Sequence, residues 1–394
     1  MMRTDRLIRV LYGAEATAMV QPELRELYES YVSSLWPHVH KALRLSVAGA
    51  PPAIEVVHSL AARSQVITGA GGTCLVYDQN FGRICNQLTR LTVALAPSVT
   101  IDAYVARLCA SKAVVANRLV TAGKLVVYSE MAAGVALAQN AIVVEPERQR
   151  NYRSFMVTLQ EVFLMAHELC HLLLADRSDG ANLQAMAGEA IRRCRDTLDD
   201  GPDARVADSG NQRLVEEVIC DFAGTLATML LFAGRTANAD CVAGASLGIY
   251  HLMFVQHLDS LVARFDAGHR EPSTGTPAEV RLRVACLRDM VREFFQWLGP
   301  SVADRGATAD ENFTVLWDAH VRFAEVAHRR VIPHLAEMCG DAELTGLVEA
   351  NGALTDRRQL VARLSAPLSA RPGGTSVLYS DQQRAGLDLP PDVS

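Results

Sequence analysis

In FLMAHELCHLLLADR (residues 163–177) two histidines stand four residues apart, with a glutamate directly after the first. His167-Glu168-Leu169-Cys170-His171 is thus an HExxH pattern, the arrangement that metallohydrolases use. On a helix, residues four apart share a face, so His167 and His171 can present both imidazoles to one ion. Glu168 lies one step around the helix and can reach a metal-bound water without being a ligand. A zinc ion lowers the pKa of its bound water to about 7, and a neighbouring carboxylate takes the proton as hydroxide attacks a carbonyl. The flanks, FMVTLQEVFLMA and LLLADR, are mostly apolar. Ionisable groups buried in such a helix cost several kcal/mol unless paired or bound to a metal. A Zn2+ site is therefore expected here.

A catalytic zinc takes three protein ligands and keeps one position open. LVEEVICDFAG (214–224) offers the third. Glu217 and Asp221 are four apart and share a helix face, so Glu217 can bind the ion while Asp221 accepts the second ring N–H of a ligand histidine. Glu216, about a quarter-turn away, is the alternative ligand. Hydroxide attack also creates an anion that needs a donor. Tyr250, His251, His257, Arg281 and Arg283 all follow the third ligand, and Tyr250 or His251 is the expected stabiliser. Cys170 adjoins a ligand histidine on a different face and reads as a small packing residue.

HELCHLLL followed some 46 residues later by EEVICDFAG resembles the gluzincin metallopeptidases, whose third ligand is a glutamate in an ExxxD-type segment. Within that group the likeness is to the M48-type peptidases and to the M78-type peptidases with their HELGHLLL helix. It covers about 25 residues in two segments. It implies a zincin-like core, peptide-bond hydrolysis, Zn2+ held by His167, His171 and Glu217, and Glu168 as general base. Cys170 departs from the pattern, standing where these families have Gly or Ala.

The elements around these segments read as mainly helical with a small β-sheet, an α+β fold with added helices. The 394 residues are 49% hydrophobic and only 6% aromatic, rich in Ala, Leu and Val, which favours helices. Amphipathic spacing marks helices over 15–46, 152–174, 212–232, 239–265 and 311–338, with a second helix after AGAPP (48–52) running through Ala62. GAGGTCLVYDQN (69–80) reads as a Gly-led strand. Two β-branched runs, Leu125–Tyr128 and Ala141–Val144, read as strands before the HExxH helix. A peptide substrate would pair with such an edge, with Ala141, Ile142, Val143 and Val144 the expected binding strand. The linear division is a helical region 1–120, a catalytic core 121–300, a helical region 301–365 and a loosely ordered tail 366–394.

A net charge of −6 gives no footprint for nucleic acid. Nine scattered cysteines without a CxxC pair suit a reducing compartment, and the N-terminal residues lack the apolar run of a secretory signal. The segments FAGTLATMLLFAG (222–234) and VAGASLGIYHLMFV (242–255) are short for a bilayer, so stable membrane insertion is not expected. The reading is a cytoplasmic zinc peptidase acting on a protein or peptide substrate. Two others compete with it: a di-iron oxidase combining Glu168-x-x-His171 with Glu325-Val326-Ala327-His328, and an inactive regulator that keeps the fold.

Overall fold

A computed structural model describes residues 11–12, 17–18, 22–46, 49–69, 72–93, 98–139, 146–175, 181–197, 212–265, 278–298 and 318–365. The described chain is mostly helical with one small mixed sheet. In order it runs β1 (Thr17–Ala18), α1 (Pro22–Ala42), β2 (Ala53–His58), β3 (Gln65–Gly69), β4 (Gly72–Asp78), α2 (Gln79–Val93), α3 (Ser98–Val115), α4 (Leu119–Ala138), α5 (Glu147–Ala175), α6 (Ala181–Thr197), α7 (Gln212–Leu231), α8 (Asn238–Phe265) and α9 (Ala278–Leu298). Helical residues 318–326 then lead through a π-helical turn (Ala327–Val331) into α10 (Ile332–Cys339), α11 (Ala342–Ala350) and α12 (Arg357–Ser365).

Two compact units result. One comprises Met1–Cys85, Phe155–Phe254 and Thr276–Asp318; the other comprises Asn86–Ser154, Val255–Gly275 and Ala319–Ser394. They interleave along the sequence instead of following one another as a division at residues 120 and 300 would have them.

The first unit contains the sheet, in the order β1-β2-β4-β3. β2 and β4 are parallel, while β1 and β3 flank them antiparallel. The stretch expected to continue as helix to Ala62 is strand β2, because AIEVVH turns the β-branched Ile54 and Val56 to one buried face. The N-terminal part is accordingly not all helical. In β4, Leu75, Val76 and Tyr77 are fully buried. Helix α1 follows the expected periodicity, burying Tyr28, Val32, Leu35 and Val39.

A carboxylate on α5 fastens this layer. Glu161 accepts hydrogen bonds from the Tyr77 hydroxyl of β4 at 2.7 Å and the Tyr28 hydroxyl of α1 at 3.2 Å. Gly82 at the start of α2 leaves room for that carboxylate, since a Cβ there would overlap it. At the end of β4, buried Asp78 accepts from the Ser59 backbone and hydroxyl and from the Asn80 amide, closing the β2–β3 connection and capping α2.

The second unit is helical throughout its described residues. Helices α3 and α4 lie side by side, joined at 116–118, where Asn117 takes a left-handed conformation (φ 57°). Leu125–Tyr128, expected as a strand, is the middle of α4. Its β-branched residues are outweighed by the flanking Ala and Leu, and the helix buries most of its circumference. Cations cap helix ends in this unit. Lys124 donates to the Cys339 and Asp341 carbonyls, and Arg107 to those of Arg363 and Leu364. The other expected strand, Ala141–Val144, lies outside the described residues.

Among the described residues three helices are long and apolar enough to cross a membrane by length and composition: Leu119–Ala138, Glu147–Leu174 and Asn238–Ala263. The last contains VAGASLGIYHLMFV, whose apolar run alone is short. Of its most apolar stretch 83% is buried inside the protein, which is how a core helix sits.

Burial pushes the Asp78 carboxyl up to about 6 against the pull of its Ser59 and Asn80 hydrogen bonds. The folded state therefore holds this proton more tightly than the unfolded chain, whose aspartate titrates near pH ~4. The stabilisation is complete below that value and is lost as pH rises through about 6. In urea unfolding of wild type beside Asp78→Asn, the stability difference should move against the wild type by about 1.4 kcal/mol per pH unit across this window. A difference that does not vary with pH would refute the assignment.

Candidate metal centre

The 29-residue helix α5 carries the HExxH segment in its second half. Met156, Leu159, Val162, Phe163, Ala166, Leu169 and Cys170 are all buried, a stripe broad enough to enclose His167, which is 2% exposed. His171, one turn later, is 31% exposed, so the site opens to solvent on that side. Helix α7 lies against α5 and supplies Glu217 and Asp221 from one face, as their spacing predicts. Gly224 permits the approach. A Cβ there would lie 3.1 Å from the His167 amide nitrogen and 3.3 Å from its Cα.

The four side chains converge. His167 Nδ1 is 3.0 Å from Asp221 Oδ1, which leaves Nε2 facing the other groups. That Nε2 is 3.0 Å from His171 Nε2 and 3.4 Å from Glu217 Oε2, while Glu217 Oε1 is 3.8 Å from His171 Nε2. One ligand atom each from His167, His171 and Glu217 fall within 4.8 Å of one another. Glu216 is exposed and accepts from Gln212 instead, so Glu217 is the carboxylate that faces the histidines.

Arg283 of α9, 3% exposed, is the residue from later in the chain that reaches the centre. Its Nε and Nη2 donate to the two oxygens of Asp221 at 2.8 Å each, and Nη1 lies 2.9 Å from Glu217 Oε2. Tyr250 and His251 do not occupy that role. His251 is wholly buried with Nδ1 2.8 Å from Gln160 Oε1, two helical turns before His167 and so roughly 10 Å away along α5. Tyr250 stacks on Phe254 in the same core. Arg283 is one of the five residues after the third ligand that could reach back, and spacing does not single it out among them; its apolar neighbours in VRLRVACL are the signal that favours it.

Glu168 is turned to the sheet. The Val66 backbone N–H of β3 lies close enough to its carboxylate to favour the charged form. β3 is an edge of the sheet among the described residues. In an antiparallel pair the N–H and C=O of one residue point the same way and alternate along the strand, so Thr68 faces the same open side as Val66. Among the described residues the edge strand beside the HExxH helix is Gln65–Gly69, some 100 residues before it; Leu125–Tyr128, expected as a strand, is helical, and the expected binding strand Ala141–Val144 lies outside the described residues. Tyr12, fully buried with the Arg63 guanidinium over its ring, also lies close enough for the Glu168 charge to act on its hydroxyl.

Charge and burial compete at every member. Burial opposes the His167 cation, but Asp221 and Glu217 outweigh it and raise the imidazole to about 9. Burial, then the neighbouring His167 charge, lowers His171 to about 4. Burial pushes Glu168 up to about 7, helped by the Glu217 charge and resisted by His167, Val66 and Arg283. Glu217 and Asp221 are both desolvated, yet His167 and Arg283 hold them below the usual carboxylate range. Cys170 and Cys220 are both buried, Cys170 near enough for its charge to act on Cys220, and burial keeps both as thiols.

Glu325 and His328, the second ExxH segment, do not present a shared ligand face. Glu325 is 51% exposed beside Arg329, whereas His328 is buried in the π-helical turn against the ring of His257. Among the described residues the cluster with metal-ligand geometry is His167, His171 and Glu217.

A side chain at Gly224 would force α7 off the metal helix. Gly224→Val should cost about 1–3 kcal/mol of stability through overpacking and weaken Zn2+ binding at the same time. Thermal unfolding and zinc competition would both register it; a variant equal to wild type in the two would remove the tight approach as a cause.

No family model matches this chain, and neither curated proteins nor solved structures yield a match.

Proposed function

We propose that the chain is a zinc-dependent peptidase with a zincin-like core in its first unit, acting on a protein or peptide substrate. The observation that carries this reading is the placement of the HExxH face. His167 and His171 turn to Glu217, while Glu168 turns to an open strand edge.

The donor set fits zinc. Two imidazoles and one carboxylate are the ligands of the thermolysin-type catalytic site, and Asp221 Oδ1 at 3.0 Å from His167 Nδ1 favours the tautomer that offers Nε2. His167, His171 and Glu217 would hold the ion, which when bound supplies Lewis acidity and an acidified water. Glu168, its carboxyl raised to about 7, is suited to take a proton at one oxygen and return it to a leaving amine. Val66 orients that carboxylate from the strand. The outward Val66 carbonyl and the outward N–H and carbonyl of Thr68 offer an extended peptide the backbone partners that an edge strand provides. A peptide laid there runs past Glu168, which brings a scissile carbonyl to the base without any sequence-specific contact. All nine cysteines are free thiols, which supports a reducing, cytoplasmic setting.

Elemental analysis and peptide digestion together test the reading. Wild type should carry about one zinc and cleave an unstructured peptide library; His167→Ala should lose the metal; Glu168→Gln should keep it and lose cleavage by roughly 100-fold or more. Wild type without zinc, two irons per chain, or cleavage undiminished in Glu168→Gln would each sink the proposal.

A further inference from the structure

We propose that Arg283 is a positioning residue for the metal centre: its guanidinium fork sets Glu217 and Asp221 in ligand-ready places before any ion arrives, and limits Glu217 to one ligating oxygen. This deepens the reading above and rests on His167, His171 and Glu217 holding a metal.

Glu217 and Asp221 stand one turn apart on α7 and repel each other. Nothing within that helix fixes the distance between their carboxylates. A guanidinium can, because its five N–H groups radiate from a rigid plane. Nε and Nη2 chelate both oxygens of Asp221, and Nη1 reaches Glu217 Oε2 from the same plane. Each carboxylate then has one task left. Asp221 Oδ1 also meets His167 Nδ1, orienting that ring. Glu217, with Oε2 held by Arg283, has Oε1 as its freer oxygen towards His171. A glutamate held in this way binds through a single oxygen, which favours the four-coordinate geometry of zinc over ions that take bidentate carboxylates.

A rival role for Arg283 is simple neutralisation of two buried carboxylates. The two roles predict opposite signs. A fixed positive charge beside a dication repels it, so if neutralisation were the whole role, removing Arg283 would tighten zinc binding. If the fork positions the ligands, removal weakens binding in spite of the relieved repulsion. Lysine separates the roles further, since it keeps the charge and lacks the fork.

The experiment is a Zn2+ titration of the full chain against a chromophoric chelator at fixed pH, for wild type, Arg283→Lys and Arg283→Met, each checked for helix content by circular dichroism. Positioning predicts that both variants bind zinc roughly 10–100-fold more weakly, as orienting partners of metal ligands do. If Arg283→Met does not fold, Arg283→Lys carries the comparison. Zinc affinity equal to or tighter than wild type in either folded variant overturns the proposal, as does a wild type that binds no zinc. A wild type that binds zinc but cleaves no peptide overturns the peptidase reading alone, and a weakened Arg283→Lys would still support the positioning role.

Discussion

The interaction on which the rest depends is the buried chain from Arg283 through Asp221 to His167. Each member comes from a different helix and each is at most 3% exposed. Charges withdrawn from water to this degree cost several kcal/mol apiece unless their geometry is nearly ideal. The bidentate pair at 2.8 Å meets that demand, and the price of losing one partner is an uncompensated charge in the core. The constraint therefore works in both directions. It fixes α7 and α9 against α5, and it turns His167 so that Nε2 points to His171 and Glu217. Small residues make the approach feasible: Gly224 touches the His167 backbone, and Cys170 and Cys220 lie near each other where larger side chains would hold the helices apart.

Helix α5 then relates this cluster to the sheet. Glu161 and Glu168 are seven residues apart and share one face. The first takes the Tyr77 hydroxyl of β4 and the second lies beside the Val66 amide of β3. Neighbouring strands of the sheet thus meet the helix about two turns apart. His167 and His171 lie about 100° around from that face and meet α7. Two perpendicular demands, sheet on one side and carboxylates on the other, meet at residues 167 and 168. This is why a base and a ligand can be sequence neighbours and still serve different partners.

The sequence made the local part of the site legible because the relevant spacings are short. Four-residue intervals within α5 and α7 obey helix geometry whatever packs around them, so His167, His171, Glu217 and Asp221 share faces as read. Contacts between distant segments had no such rule. Arg283 follows Asp221 by 62 residues, and only the packing of α9 brings them together. Strand and helix were exchanged for a related reason. β-branched composition marked Leu125–Tyr128 as a strand, but it is set among helix formers and is α4, while Ala53–His58, read as helix, carries alternating β-branched residues and is β2. Gln65–Gly69 is five residues long and carries too little periodicity to announce itself.

The same electrostatics suit the proposed cation. Glu217, Asp221 and Glu168 are three carboxyl groups facing one arginine within a mostly buried space. Arg283 settles one charge. The remaining excess is what lifts His167 to about 9 against its own burial. A structural histidine would achieve balance by keeping that proton, with Asp221 beside Nδ1 and Glu217 beside Nε2. Nε2 faces a second imidazole at 3.0 Å, an arrangement in which two ring nitrogens either share a proton or point their lone pairs at a common ion. A dication settles both difficulties together: it supplies the missing positive charge and gives each Nε2 a partner that a single proton cannot give to both.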